Sequence, residues 1–249
     1  MGEKTAFWRF FHFWDYKNLK TIVYIDGFNL YYGLLKHNAY KWLDLHSLFQ
    51  HIVQVQHPGS ELLYVNYYTA DVLTKFATRG SIAHQSQQIY HNALSAPGTG
   101  PVNIIRGRYT AIHDHPMRYQ APPDKTLRVD AWKLEEKKTD VNIAVNLYRD
   151  AARSHCEQLV LVTGDTDIAP ALELIRQDFP SIQIGVIAPI PKNQEQYRRP
   201  AQDLNGPAHW FRNYILDEEL AAAQFPKVVD MGIKPSGKKR KPAVKPNYW

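Results

Sequence analysis

Only one cysteine, Cys156, occurs in the 249 residues, so the chain can build neither an internal disulfide nor a thiolate zinc centre. A reducing, cytoplasmic setting is expected. No uninterrupted apolar run approaches the ~18 residues that a membrane span requires, so no membrane association is expected. The opening MGEKTAFWRFFHFWDYKN is rich in Phe and Trp, but Arg9, His12 and Asp15 interrupt it and no small-residue cleavage site follows. It does not read as a signal peptide. Also missing are a Gly-rich dinucleotide fingerprint and a DxDxT phosphatase motif after the first strand, which argues against common small-molecule chemistries.

An excess of charge on the body is missing too. The net charge is +6, and the six basic residues from Lys234 onward (Lys234, Lys238, Lys239, Arg240, Lys241 and Lys245) account for all of it. The body is formally neutral. Residues 231–249, rich in Pro, Gly and Lys, are expected as a basic disordered tail, able to add salt-dependent phosphate contacts or merely to aid solubility.

What is present is an alternation of strands and helices. TIVYID at 21–26, ELLYVNYYTA at 61–70, VNIIRGRYT at 102–110, QLVLVTGDTD at 158–167 and IQIGVIAP at 182–189 read as five strands with helical patterns between them. Nearly all-apolar strands argue for a parallel sheet covered on both faces, which binds ligands beyond its carboxyl ends. Residues 111–130, with Pro116, Pro122 and Pro123, are expected as a long surface loop. The helix from Asp140 to Arg153 is expected to bury Val141, Ala144, Val145 and Tyr148. A further helix is expected over 201–216.

Four aspartates fall at this predicted edge: Asp26, Asp140, Asp165 and Asp167. Taken alone, Asp26 with Gly27 could make a turn, Asn29 could cap its helix, and Asp140 and Asp167 have N-cap character. Together they would repel at about 4 kcal/mol per pair at ~4 Å and an effective dielectric of ~20, unless a cation lies among them. Oxygen-only ligands select Mg²⁺ or Mn²⁺.

YIDGFNLYYG at 24–33, KKTDVNIAVNLYRDA at 137–151 and LVTGDTDIAPAL at 161–172 resemble, in order and spacing, the three acidic motifs of the NYN domain, a branch of the PIN-like ribonuclease fold. The resemblance covers roughly 20–190. It implies a three-layer α/β/α sandwich with a mainly parallel five-stranded sheet, the first strand beside the fourth, and a helical extension over 191–230. It also implies metal-dependent hydrolysis of phosphodiester bonds, with single-stranded RNA as the expected substrate. Asp26, Asp140 and Asp165 would hold Mg²⁺ or Mn²⁺, Asp167 would bind the ion or orient water, and Asn29 would hydrogen-bond water or phosphate. Asn146 stands where many members carry a further acid, so one ion is expected rather than two. The competing expectations are a non-catalytic nucleic-acid-binding or regulatory module and an enzyme acting on a small molecule.

Other residues are weaker candidates. Arg106 and Arg108 share a predicted strand face and could meet phosphate. His113 and His115 form an isolated HxH pair, and Arg198 and Arg199 could reach substrate. Tyr31, Tyr32, Tyr67, Tyr68 and Tyr90 could stack on bases. The aromatic extension over 1–19 would need a partner surface, either its own core or a second copy in a homodimer.

Overall fold

A computed structural model describes residues 18–194 and 202–249. The aromatic extension and the Arg198–Arg199 pair lie outside the described residues. The order is β1 (Leu19–Asp26), α1 (Gly27–Leu30) running into a π-turn (Tyr31–Leu35), α2 (Leu45–Gln56), β2 (Ser60–Thr69), α3 (Gly80–Leu94), β3 (Val102–Arg106), β4 (Arg108–Asp114) and β5 (Ala131–Lys137). There follow α4 (Thr139–Ala152), β6 (Gln158–Val162), α5 (Ala169–Asp178), β7 (Gln183–Ile187), α6 (Gln202–Asn205), β8 (Trp210–Arg212), α7 (Asp217–Ala222), β9 (Val228–Val229) and β10 (Ala243–Val244).

Six parallel strands form the central sheet in the order β3-β2-β1-β6-β7-β8, with helices on both faces. The strand period of two explains both layers. Val23 and Ile25 of β1 face the core under α2 and α3, whereas Ile22 and Tyr24 face the core under α4 and α5. β1 pairs directly with β6, Ile25 opposite Val162, so the loops after these two strands emerge side by side. The order of strands reverses at β1, where such sheets open a crevice at their carboxyl edge.

Four expectations are corrected. The sheet gains a sixth strand, because 201–216 is not one helix: α6 ends at Asn205, Gly206 and Pro207 break it, and β8 adds to β7. VNIIRGRYT divides at Gly107 into β3 and β4, and β4 leaves the sheet to pair with β5 as an antiparallel hairpin. Only residues 111–114 of the expected loop are strand, and 115–130 remain loop apart from the single bridge between Met117 and Arg128. In α4 the buried face is Ile143, Leu147, Asp150 and Ala151, while Val141, Val145 and Tyr148, expected to be buried, are exposed. The tail is ordered on the body. β10 pairs with β9, Ala243 is buried, and Trp249 packs edge-on against Trp42 and Tyr90 with ring centroids 6.2 and 5.7 Å away. An apolar chain end outweighs the lysines before it.

Candidate functional site

The loop after β1 is built around Asp26, which is almost wholly buried. Its Oδ1 accepts from the backbone N–H groups of Phe28 and Asn29, both at 3.0 Å, and so caps α1. Its Oδ2 accepts from the Asn29 side-chain amide and from the Thr163 hydroxyl at 3.0 Å. Every lone-pair direction of this carboxylate is used. Gly27 is required beside it, since a Cβ there would fall 2.4 Å from the Tyr68 carbonyl oxygen.

The loop after β6 is fastened to the same carboxylate. Thr163 donates to Asp26 and accepts from the Asp165 N–H at 3.1 Å, and Asn29 Oδ1 accepts from the Gly164 N–H at 3.1 Å. Asp165 caps a short 3₁₀ turn, Thr166–Ile168, by accepting from the Asp167 N–H at 3.0 Å. The caps are thus Asp26 and Asp165 rather than Asn29, Asp140 or Asp167, and both residues also present negative charge at the edge.

Asp140 enters from the first turn of α4. The approach is constrained: Lys138, just before the helix, takes a left-handed conformation with φ 82°, at a cost of roughly 1–3 kcal/mol. The Asp140 carboxyl is pushed up to about 6, first by burial and then by the charges of Asp26, Asp165, Glu136 and Asp167. That set of neighbours is the electrostatic signature of convergence. The structure therefore brings all four predicted aspartates and Asn29 to one edge, together with Glu136 of β5. Glu136 carried no motif, and its place depends on a hairpin the sequence pattern did not reveal.

Asn146 has a structural use. Its side-chain amide donates to the Tyr68 hydroxyl at 2.9 Å, supplying a partner to a buried phenol. Tyr67, Tyr68 and Tyr90 are buried and cannot stack on a ligand; Tyr31 and Tyr32 remain exposed. Phe28 stacks between Tyr32 and Tyr109, with centroids 6.3 and 5.4 Å away, making an aromatic wall that begins two residues from Asp26. Phe28 and Tyr109 were missed because they meet only when β4 turns back over α1.

Arg106 and Arg108 do not share a strand. Arg106 lies 3.4 Å from Asp71 and donates to His91 Nδ1, so its charge is engaged by groups other than the four aspartates. His113 and His115 lie on the β4–β5 hairpin, where they meet Asp130.

The donor chemistry of the acidic edge fits a hard divalent cation: oxygen ligands only, with no imidazole or thiolate among them. Asp140, Asp165 and Asp167 retain oxygens that could coordinate, while the oxygens of Asp26, also expected as a metal ligand, already accept four hydrogen bonds that hold the two loops.

The NYN domain family model matches residues 20–201. This chain belongs to the NYN domain family. It is also 38% identical, over 94% of its length and 77% of the relative's, to 6-hydroxy-3-succinoylpyridine 3-monooxygenase HspA of Pseudomonas putida. That similarity extends well beyond the family-matched residues. Among solved structures, a protein of unknown function from Vibrio parahaemolyticus is similar at 18% identity and a TM-score of 0.48, covering 81% of this chain and 95% of that one. As an NYN protein the chain has a nuclease-like fold, and its named relative is an enzyme. Among the described residues no helix is long and apolar enough to cross a membrane.

Proposed function

We propose that the protein is a metal-dependent hydrolase of phosphodiester bonds, acting on single-stranded RNA at the acidic edge. The observation that carries this reading is the Asp140 carboxyl, lifted to about 6 by burial and by the charges of Asp26, Asp165, Glu136 and Asp167. Asp140, Asp165 and Asp167 would hold Mg²⁺ or Mn²⁺, which when bound supplies a Lewis acid and lowers the pKa of coordinated water. Asp26 is a positioning residue: its four accepted hydrogen bonds fix the loops that carry Asn29 and Asp165. Asn29, tied to both Asp26 and Gly164, orients water or phosphate without adding charge. The aromatic wall of Phe28, Tyr32 and Tyr109 offers stacking surface for unpaired bases.

A second reading has its own support. The relative named as a pyridine monooxygenase is 38% identical over 94% of this chain, so the likeness is not confined to the family motifs. Under that reading the aromatic wall stacks on a hydroxylated nitrogen heterocycle. One atom of O₂ enters the ring and the other leaves as water, with two electrons from a reductant supplied from outside the chain. A fold can host either chemistry.

One experiment separates them. Wild type and Asp165→Asn are incubated with labelled single-stranded RNA and Mn²⁺, and in parallel with 6-hydroxy-3-succinoylpyridine, NADH and O₂. Mn²⁺-dependent RNA cleavage lost in Asp165→Asn upholds the hydrolase. Substrate-dependent uptake of O₂ with no RNA cleavage replaces it with the oxygenase.

A further inference from the structure

We propose that the β4–β5 hairpin carries a second, independent metal site, formed by His113, His115 and Asp130 and suited to a divalent transition metal such as Zn²⁺ or Co²⁺. Its ligand atoms lie within 4.8 Å of one another. His115 Nδ1 is 2.7 Å from Asp130 Oδ1, and His113 Nε2 is 3.4 Å from the same oxygen. The two imidazole rings are neighbours, with centroids 4.6 Å apart.

Strand geometry makes the cluster more than a chance meeting of exposed side chains. In the antiparallel ladder His113 faces Trp132 and Asp114 faces Ala131, and beyond β4 the isolated bridge between Met117 and Arg128 keeps the same register. His115 therefore stands directly across from Asp130. His113 and His115 are two residues apart and project from one face, which is also the face of Asp130 and Trp132. The backbone of His115 is held on both sides: its N–H donates to Asp114 Oδ1 at 2.8 Å, and its carbonyl accepts from Arg128 Nη1 at 2.7 Å. The Val129 N–H donates to the Pro116 carbonyl at 3.0 Å, closing the same stretch. Trp132, whose ring is 6.1 Å from His113, is pinned by Phe76 and by the Lys75 ammonium 4.3 Å above it.

The ligand set decides the metal. Two imidazole nitrogens and one carboxylate favour Zn²⁺, Co²⁺ or Fe²⁺, and disfavour Mg²⁺, which takes oxygen ligands. Three protein ligands leave further positions to solvent or to a bound molecule, unlike a closed four-ligand structural site. The two sites of this chain thus differ in hardness and can be told apart by the ion used. This assignment does not depend on which reaction the acidic edge performs.

The test is calorimetric titration of the full chain with Zn²⁺ and, separately, Mg²⁺, together with the visible absorption of the Co²⁺ form. Wild type and Asp165→Asn are expected to bind Zn²⁺ at a site lost in His113→Ala/His115→Ala and weakened on the order of tenfold or more in Asp130→Asn. Mg²⁺ should not occupy that site. The residues are exposed, so these variants should keep the wild-type circular dichroism, and Asp130→Asn preserves side-chain size as a check. Zn²⁺ isotherms unchanged in the double histidine variant, or no Zn²⁺ binding by Asp165→Asn, would overturn the proposal.

Discussion

The Thr163 hydroxyl donates to Asp26 Oδ2 at 3.0 Å, joining the ends of two adjacent parallel strands across 137 positions of sequence. The same oxygen accepts from the Asp165 N–H, so one hydroxyl places both acidic loops. Thr163→Val keeps the shape but removes both bonds and leaves a buried carboxylate short of a donor. It should cost about 1–3 kcal/mol. Thr163→Ser retains the hydroxyl and should recover most of the loss. Denaturant unfolding of the two variants checks this, and a loss in Thr163→Ser as large as in Thr163→Val would show that the hydroxyl alone does not carry the effect.

Asp140 makes stability depend on pH in the direction opposite to a salt-bridged acid. Its folded pKa, about 6, lies above the unfolded value of 3.8. Above pH 6 the group is ionised in both states and its folded form bears the full repulsion. As pH falls through 6 the folded state takes up a proton first, and the gain is complete below the unfolded value. Asp140 is only partly buried, so solvent screening reduces the effect to roughly 1 kcal/mol. Asp140→Asn should therefore be more stable than wild type at pH 8, with the difference shrinking toward pH 5. Thermal melts across this range, with and without Mn²⁺, measure it, and Mn²⁺ should stabilise wild type more than the variant.

The parts of this architecture legible in sequence were those whose burial leaves a pattern. β1, β6 and β7 are covered on both faces and read as unbroken apolar runs, and the aspartates at the ends of β1 and β6 follow as strand ends. The hairpin was not legible. β5, AWKLEEK, is mostly wet on both sides and has no apolar face to set a period, so neither Glu136 at the acidic edge nor Asp130 beside the histidines could be assigned a neighbour. β8 is three residues long, too short to show alternation. In α4, Val141 and Val145 imitate a buried stripe on the face nearly opposite to Ile143 and Leu147, and composition alone does not choose between them.

Cys156 should be chemically silent in the folded protein. Burial, followed by the charges of Asp150 and Glu157, pushes its thiol up to about 12, so almost no thiolate exists at pH 8. Reaction with a disulfide reagent should be negligible in buffer and rapid in denaturant. Tyr24→Phe offers a sharper form of the same test, since the Tyr24 hydroxyl donates to the buried Asp150 Oδ2 at 2.7 Å. Its loss should cost about 1–3 kcal/mol and raise the alkylation rate of Cys156 in proportion to the fraction unfolded.

The ordered C-terminus gives the last prediction. Trp249 closes an aromatic cluster with Trp42, Tyr90 and Tyr248, and the Tyr248 hydroxyl donates to Ser86 Oγ at 2.6 Å. The Arg79 guanidinium lies 4.3 Å from the Tyr248 ring. A solvated tail would make truncation before Asn247 neutral; a docked one would not. Trp249→Ala removes a partly buried ring packed against the main core and should cost about 2 kcal/mol, below the 3–5 typical of a fully buried aromatic. Lys238→Ala and Lys239→Ala, on exposed side chains of the same segment, should change stability by less than about 0.5 kcal/mol. Urea unfolding of these variants decides between the two pictures, and equal stability of wild type and Trp249→Ala would return the segment to the status of a loose basic arm.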